Sequence, residues 1–253
     1  HLSQAQMSQT LGNAIEGENL DVTIGSIPLK GEEKNPVKAN VLSLLKDIYG
    51  FEEEDFLSAE LEVVPSGKTR DYGLDKGMVA GYGHDDRCCA YPSLIALLDQ
   101  EELEYTGVVI LTDKEEVGSI GATGAQSLFF ENALLDVLVK ANDKMPVVTL
   151  KTMLTNSKML SSDVSAGSDP LYMSVDSPNN TAYMSHGIVL NKYTGSRGKS
   201  GANDANPEYL AWIRKIFDEN NVNWQTAELG KVDAGGGGTI AYILANYNMY
   251  QQL

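Results

Sequence analysis

Two adjacent carboxylates, Glu115 and Glu116, follow an apolar segment at residues 107–111. That segment is too short to span a membrane as a helix and is rich in β-branched residues, so it predicts a central strand buried on both faces. Ligands of open α/β sheets collect at the carboxyl ends of strands, where one carboxylate could hold a cation while its neighbour transfers a proton. Taken alone, the doublet favours a solvated acidic turn, since carboxylates also favour helix N-termini.

Three aspartates occupy comparable places in the chain. Asp85 and Asp86 follow a predicted strand and precede a predicted helix, where aspartate also serves as a helix cap. Asp163 lies in an otherwise apolar or small-residue strand at residues 159–164, and a buried carboxylate without a partner is costly. We expect a cation shared among Asp85, Glu116 and Asp163, because oxygen-rich sites completed by histidine suit zinc, manganese or cobalt.

The elements that must hold these carboxylates are short aliphatic strands that alternate with helices. This alternation predicts an α/β fold with a mostly parallel sheet flanked by helices. Strands are predicted at residues 61–64, 77–82, 108–111, 159–164 and 187–190, and helices at residues 36–49, 86–101, 122–140, 204–220 and 238–249. Proline costs about 3 kcal/mol in a helix interior, so Pro92 predicts a kink or a late start in the helix after Asp85.

The composition limits the classes of partner. The 253 residues carry 35 acids against 19 bases, and the formal net charge of −16 opposes binding to nucleic acid or to anionic membranes. No apolar run reaches the roughly 18 residues that cross a bilayer, and the first residues lack a signal-peptide pattern, so we expect a cytoplasmic protein. The adjacent Cys88 and Cys89 are poorly placed for a disulfide, which fits a reducing compartment and a packing role. Both ends look cut, so we also expect an internal portion of a longer chain.

Five segments together resemble one known family. They are residues 82–87 (YGHDDR), 113–119 (DKEEVGS), 162–164 (SDV), 192–201 (KYTGSRGKSG) and 235–239 (GGGGT). Their order and spacing are similar to those of the bacterial branch of the aspartyl aminopeptidase family of dinuclear zinc exopeptidases, from near residue 1 to the end of the chain. The resemblance implies a metal-dependent aminopeptidase that removes N-terminal residues, acidic ones in particular, from peptides.

The resemblance also implies a role for each carboxylate. Asp85 would bridge two divalent metal ions, which are zinc or else manganese or cobalt. Glu116 would bind one ion and Asp163 the other. Glu115 would be the general base that takes a proton from a metal-activated water and passes it to the leaving amine.

Basic residues and a glycine turn are candidates for substrate binding. By resemblance, Lys192 pairs with the acidic side chain of the peptide substrate, and Lys199 is the second candidate; a surface lysine is the alternative for each. The turn at residues 235–239 opens the last predicted helix, so Gly237 and Thr239 could present free backbone N–H groups to a carboxylate or carbonyl oxygen. A tight turn that needs positive φ explains the glycines equally well.

The family pattern divides the chain into two domains. Residues 71–253 would form a zinc-exopeptidase-like catalytic domain, and residues 1–70 would form most of an accessory lid and dimerisation domain. In relatives that domain mediates dimer contacts and helps to assemble a dodecamer, so the resemblance implies a homo-oligomer. A surface helix packed on its own domain explains the amphipathic stretch at residues 36–49 equally well.

The histidines depart from the family pattern. The family uses two histidine metal ligands, and none of His1, His84 and His186 lies in a motif that supplies one of them, so each ion would lack one ligand from this chain. We expect His84 to lie beside a ligand and His186 to have a loop or packing role. Two alternatives stay open, namely a non-catalytic scaffold that retains the fold and a related glutamyl or broad-specificity metallo-aminopeptidase.

Overall fold

The computed structural model describes residues 2–196, 200–234 and 236–252. The chain divides into two compact units, His1–Lys68 and Thr69–Leu253. None of the helices in the described ranges is long and apolar enough to cross a membrane. The division of function between a lid and dimerisation domain at residues 1–70 and a catalytic domain at residues 71–253 stays a prediction.

The first unit contains one long helix. Its α-helices are α1 (Leu2–Met7) and α2 (Pro36–Tyr49), and single turns of 3₁₀-helix cover Leu11–Asn13, Gly17–Asn19 and Glu53–Leu57. The bounds of α2 confirm the helix predicted at residues 36–49. Pro36 suits the first helical position, where the backbone N–H would have no helical partner. Gly50 ends the helix because its φ of 76° lets its N–H reach the carbonyls of Leu45 and Lys46.

The second unit contains every strand that the described residues form. The strands are β1 (Arg70–Tyr72), β2 (Met78–Ala80), β3 (Lys158–Leu160), β4 (Ile188–Asn191), β5 (Tyr193–Ser196), β6 (Ser200–Asp204), β7 (Trp224–Ala227) and β8 (Tyr250–Gln252). They associate only in pairs: β1 with β2 and β5 with β6 are antiparallel, whereas β3 with β8 and β4 with β7 are parallel. The molecule is therefore α/β, with small sheets.

The predicted parallel sheet is not found among the described residues. Residues 61–64 and 107–111 form no strand there, and strand β2 pairs with its antiparallel neighbour. Val108 and Leu111 keep 51% and 59% of their surface exposed, so the apolar segment is not buried on both faces as predicted. The prediction of a central strand at residues 107–111 was wrong. A strand needs a neighbouring segment as its hydrogen-bonding partner, and an apolar run does not specify that segment.

The helices of the second unit agree with the predicted ones to different degrees. They are α3 (His84–Leu98), α4 (Phe129–Lys140), α5 (Pro146–Asn156), α6 (Pro207–Glu219) and α7 (Ala241–Leu244), the last continued by a 3₁₀ turn at Ala245–Tyr247. Asp85 and Asp86 have non-helical dihedral angles, so the regular part of α3 begins after them. Pro92 lies inside this regular part, and only Asp85 and Asp86 are non-helical within α3, so the kink or late start predicted from Pro92 was wrong. Helix α5 was not predicted, and α4 and α7 begin later than predicted.

Two small apolar clusters hold strands β4 and β3. Leu190 on β4 packs with Tyr209 and Ile213, which are four residues apart and therefore share one face of α6. In the second cluster, Ala205 and Ala241 are fully buried and Met159 on β3 packs against them. The second cluster fixes β3, the strand that precedes Asp163.

The N-cap of α6, the helix that packs on Leu190, can be tested by mutation. We expect Asn206→Ala to lower the free energy of unfolding by about 1 kcal/mol, because the Tyr209 N–H loses the side-chain oxygen that accepts its hydrogen bond. Asn206→Asp retains an acceptor oxygen and should unfold like the unmodified chain in urea, as followed by circular dichroism. Equal unfolding free energies for Asn206→Ala and the unmodified chain would contradict the proposed cap.

Candidate metal centre

Three aspartates from two segments come together in the second unit. Asp85, Asp86 and Asp163 each offer a carboxylate oxygen, and these oxygens lie within 4.8 Å of one another. Asp85 and Asp86 lie at the start of α3, shortly after β2, and Asp163 lies three residues after the end of β3. The structure thus brings two of the three predicted metal ligands together and adds Asp86, for which the sequence suggested only a capping role.

The start of α3 presents both of its aspartates ahead of the regular helix. Gly83 adopts the left-handed region with φ of 86°, and its carbonyl accepts the Arg87 N–H at 3.3 Å. A side chain at Gly83 would be strained there, and its Cβ would meet the Arg87 guanidinium at 3.0 Å. The Asp85–Asp86 peptide bond is cis. The two consecutive carboxylates that follow Gly83 lie beside Asp163.

The glutamate doublet occupies a short turn next to these aspartates. Glu115 and Glu116 lie in a 3₁₀ turn, Glu115–Val117, between left-handed residues Lys114 and Gly118. The turn is closed by the Ser119 N–H, which donates to the Lys114 carbonyl at 2.7 Å. Neither glutamate belongs to the close group of three aspartates, so the role of Glu116 as a ligand stays a prediction.

Electrostatic interactions connect Glu115 with the aspartates. The pKa of Glu115 is raised first by burial and then by the negative charges of Asp163, Glu116, Asp85 and Asp86. A carboxyl group whose pKa is raised is a stronger base than a free glutamate. The charges of the aspartates therefore act on Glu115, whose role as general base stays a prediction.

The aspartates themselves experience the same repulsion. The pKa of Asp163 is raised mainly by burial, and the charges of Asp85, Asp86 and Glu116 raise it further. The Val164 N–H lowers this pKa because it donates a hydrogen bond to the carboxylate at 2.7 Å. The pKa of Asp86 is likewise raised by burial and then by Asp85, against a hydrogen bond from Cys89. A divalent cation would reverse these shifts because it favours the charged form of each carboxylate. The donor set therefore fits a hard or borderline metal ion.

No histidine among the described residues joins the carboxylates. His84 directly precedes Asp85 and is exposed, as expected of a residue beside a ligand. The His186 ring hydrogen-bonds to the Met184 carbonyl at 2.9 Å and lies 5.7 Å from the Tyr183 ring, which supports its predicted loop or packing role. His1 lies outside the described residues.

Lys192, which is predicted to bind the acidic side chain of the substrate, contacts residues close to it in this structure. The Lys192 ammonium donates to the Asp204 carboxylate at 3.3 Å and to the Ala205 carbonyl, and it lies 4.9 Å from the centre of the Tyr193 ring. Its contacts are thus with the last residue of β6, the residue after it and the neighbouring Tyr193, rather than with Asp85, Asp86 or Asp163. Lys199 lies outside the described residues.

The glycine-rich turn contacts the β5–β6 hairpin. The Gly237 carbonyl accepts the Gly195 N–H at 2.9 Å, and the Thr239 hydroxyl accepts the Ala241 N–H at 3.2 Å at the start of α7. A cavity of about 410 Å³ lies between the hairpin and the loop that precedes the glycine-rich turn. Glu228, Lys231 and Gly236 are in its lining. Gly237 and Thr239 thus have structural roles here, and their predicted contacts with substrate stay untested.

Comparison with known proteins decides the family. The family model of the aminopeptidase I zinc metalloproteases (M18) matches residues 1–250. The chain belongs to the M18 family. A probable M18 family aminopeptidase 1 from Clostridium acetobutylicum is 59% identical to the M18 chain over 250 residues, which are 98% of this chain and 54% of that protein.

Solved structures agree with this assignment. The crystal structure of the M18 aminopeptidase from Thermotoga maritima matches with a TM-score of 0.90 at 44% identity, covering 97% of this chain and 54% of that one. Aminopeptidase I from C. acetobutylicum matches with a TM-score of 0.86 at 58% identity over all of this chain and 54% of that one. A yeast mApe1 dodecamer shares the fold at 23% identity, with a TM-score of 0.55 over 74% of this chain and 41% of that one. The M18 chain spans about half the length of the relatives it matches.

The charge repulsion predicts how the metal-free M18 chain responds to pH. A carboxyl group whose pKa is raised by folding stabilises the folded state at low pH, and this contribution is lost as the pH rises through the folded-state pKa. In EDTA at neutral pH we therefore expect Asp163→Asn to raise the melting temperature by a few degrees, since one repelling charge is removed while an oxygen remains for Val164.

The increase in melting temperature caused by Asp163→Asn should become smaller as the pH falls toward 4, near the ordinary pKa of aspartate. Differential scanning calorimetry at several pH values measures it, with Asp136→Asn on the exposed surface of α4 as the matched control. A variant that is less stable than the unmodified chain at neutral pH in EDTA would show that repulsion does not dominate at this site.

Proposed function

We propose that this chain is part of a metal-dependent aminopeptidase that removes N-terminal residues, preferentially acidic ones, from peptides. The observation that carries the proposal is the meeting of Asp85, Asp86 and Asp163, with Glu115 close enough to be affected by their charge. Membership of the zinc metalloprotease family M18 supports the reaction class.

The carboxylates would hold two divalent ions, zinc in the first instance. Asp85 would bridge them, Glu116 would bind one ion and Asp163 the other, and Asp86 lies near enough to take part or to orient Asp85. When bound, such ions lower the pKa of a water molecule and polarise the scissile carbonyl. The carboxylates thereby exchange mutual repulsion for attraction to a shared cation.

Glu115 would move the proton. It lies near enough to the aspartates to be affected by their charge, so it would be placed to accept a proton from the attacking water and then deliver it to the leaving amine. Glu116 follows it in a tight turn, so one backbone step separates the base from a ligand. General acid–base catalysis of this kind contributes about 10²–10⁴-fold to a rate.

Selection of acidic residues would depend on Lys192. Its ammonium already binds the Asp204 carboxylate, so the acidic side chain of a peptide would compete with Asp204 for the same charge. Lys199 is the second candidate, and backbone N–H groups at Gly237 and Thr239 would hold a carboxylate or carbonyl oxygen of the peptide.

Assembly and location complete the proposal. We infer a homo-oligomer in which residues 1–70 act as lid and dimerisation domain, and the dodecamer of the yeast relative illustrates one assembly of this fold. The proposed location is the cytoplasm. A glutamyl or broad-specificity metallo-aminopeptidase differs from the proposal only in which N-terminal residues it removes.

One observation favours a second candidate function. Because no described histidine joins the carboxylates, a scaffold that retains the fold without catalysis is the alternative. Zinc binding without hydrolysis of any aminoacyl substrate would favour the scaffold, whereas release of N-terminal amino acids from peptides would favour the enzyme.

Glu115 and Glu116 provide a matched pair for the assigned roles. In the full-length protein we expect Glu115→Gln to retain bound metal and to lose turnover by about 10²–10⁴-fold, since only the base is removed. Glu116→Gln should lower the metal content instead. Metal analysis combined with an aminopeptidase assay separates the two effects, and normal turnover in Glu115→Gln would reject the assignment of the base.

The assignment of Lys192 makes a separate prediction about specificity. We expect Lys192→Ala to raise KM for aspartyl and glutamyl substrates more than for alanyl substrates, because only the former present a charge to the ammonium. Steady-state kinetics on matched aminoacyl substrates measures this difference, with Lys215→Ala on the exposed face of α6 as the control. Equal increases for acidic and alanyl substrates would exclude Lys192 as the selecting residue.

A further inference from the structure

The cavity beside the β5–β6 hairpin is a second candidate binding site. Its volume of about 410 Å³ lies within the range of about 300–1,000 Å³ that is usual for small-molecule sites. Among the described residues that line it, none has been assigned to the metal centre, to the general base or to substrate binding. The cavity therefore needs an explanation of its own.

Hydrogen bonds of the backbone fix the walls of this cavity. On one side, strands β5 and β6 form an antiparallel pair. On the other side, the Glu228 N–H donates to the Asn180 carbonyl at 2.8 Å and the Lys231 N–H donates to the Val175 carbonyl at 2.7 Å. A backbone held in this way positions Glu228 and Lys231 before a ligand arrives, which reduces the cost of ordering them on binding.

The charged groups of the lining differ in whether they already have a partner. Asp204 accepts a hydrogen bond from the Lys192 ammonium at 3.3 Å, so its charge is neutralised within the protein. The side chains of Glu228 and Lys231 have no hydrogen-bond or ion-pair partner among the described residues, and they do not pair with each other. The described lining thus presents one carboxylate and one ammonium to a ligand.

Apolar side chains form much of the remaining lining. Tyr193 and Val232 keep 53% and 55% of their surface exposed, and Leu229 is half-buried. Apolar walls with a few polar groups that fix orientation are typical of small-molecule sites. The chemistry of the lining therefore matches a ligand that carries one positive charge, one negative charge and an apolar group.

A ligand with an additional negative charge matches the cavity less well. Glu228 and Asp204 both contribute carboxylates to the lining, whereas Lys231 contributes the ammonium. A second carboxylate on the ligand would be repelled by these acids, since like charges within a few ångströms repel each other. This preference differs from the acidic preference that is proposed for the peptide substrate.

We propose that this cavity binds a free amino acid with an apolar side chain, such as leucine. Lys231 pairs with the α-carboxylate of the ligand, and Glu228 pairs with its α-ammonium. Tyr193, Leu229 and Val232 contact the ligand's side chain. The proposal goes beyond the proposed function, because binding of this kind requires neither a bound metal ion nor hydrolysis.

Isothermal titration calorimetry with L-leucine tests the proposal on the unmodified protein. EDTA is present throughout, so the metal centre is empty and cannot hold the ligand. L-Leucine should bind under these conditions. Glycine, which lacks a side chain, and L-aspartate, which has a second carboxylate, should both bind more weakly.

Two analogues of leucine separate the roles of the two charges. Isocaproate lacks the ammonium and isoamylamine lacks the carboxylate. Lys231→Met should weaken the binding of leucine and isocaproate about two- to fivefold, the usual effect of an exposed ion pair, without weakening that of isoamylamine. Glu228→Gln should weaken the binding of leucine and isoamylamine without weakening that of isocaproate. Lys215→Ala, which removes the exposed pair with Glu219 on α6, is the control and should bind leucine normally.

The outcomes distinguish this proposal from the proposed function. If leucine does not bind to the unmodified protein, the amino acid site is overturned, whereas the metal centre is unaffected. Binding of L-aspartate as tight as that of leucine would overturn the apolar assignment. Leucine binding that is unchanged in both Lys231→Met and Glu228→Gln would also overturn it, because the ligand would then bind elsewhere.

The unmodified protein also provides a test that does not depend on the variants. Circular dichroism shows whether Lys231→Met and Glu228→Gln fold. If either variant does not fold, the two analogues decide the matter, since each lacks one of the charges that the cavity is proposed to bind. Isocaproate or isoamylamine binding as tightly as leucine would contradict the proposed pairing.

Discussion

Mutual repulsion among carboxylates is the constraint on which the site depends. Asp85, Asp86 and Asp163 present oxygens within 4.8 Å of one another, and burial together with their charges raises the pKa of Asp86, Asp163 and the nearby Glu115. Such an arrangement costs free energy in the folded chain at neutral pH, and a shared cation would offset that cost. The same repulsion that destabilises the metal-free chain supplies the affinity for a divalent ion.

The fold maintains this arrangement through short elements whose ends meet. The left-handed Gly83 places two consecutive aspartates before the regular part of α3, and the cluster of Met159, Ala205 and Ala241 holds the strand that precedes Asp163. Local backbone geometry and a few buried side chains thus position the acids, although the described strands associate only in pairs.

Some of this structure could be predicted from local sequence and some could not. Helix α2 was predictable because Pro36, Gly50 and the apolar spacing all indicate the same helix. The acids after β2 and β3 were identified because they directly follow apolar segments. Strand pairing was not predictable, since the apolar run at residues 107–111 does not identify a partner. Asp86 was given a lesser role because its neighbour Asp163 comes from a segment more than 70 residues away.

A crystal structure of the protein grown with zinc would test the central claim most directly, through an anomalous difference map recorded at the zinc absorption edge. The account predicts anomalous peaks within about 2.0–2.2 Å of carboxylate oxygens of Asp85 and Asp163, the usual distance for zinc bound by carboxylates. A map with no peak beside Asp85 and Asp163, or with zinc bound only at other residues, would contradict the assignment of these aspartates as a metal centre.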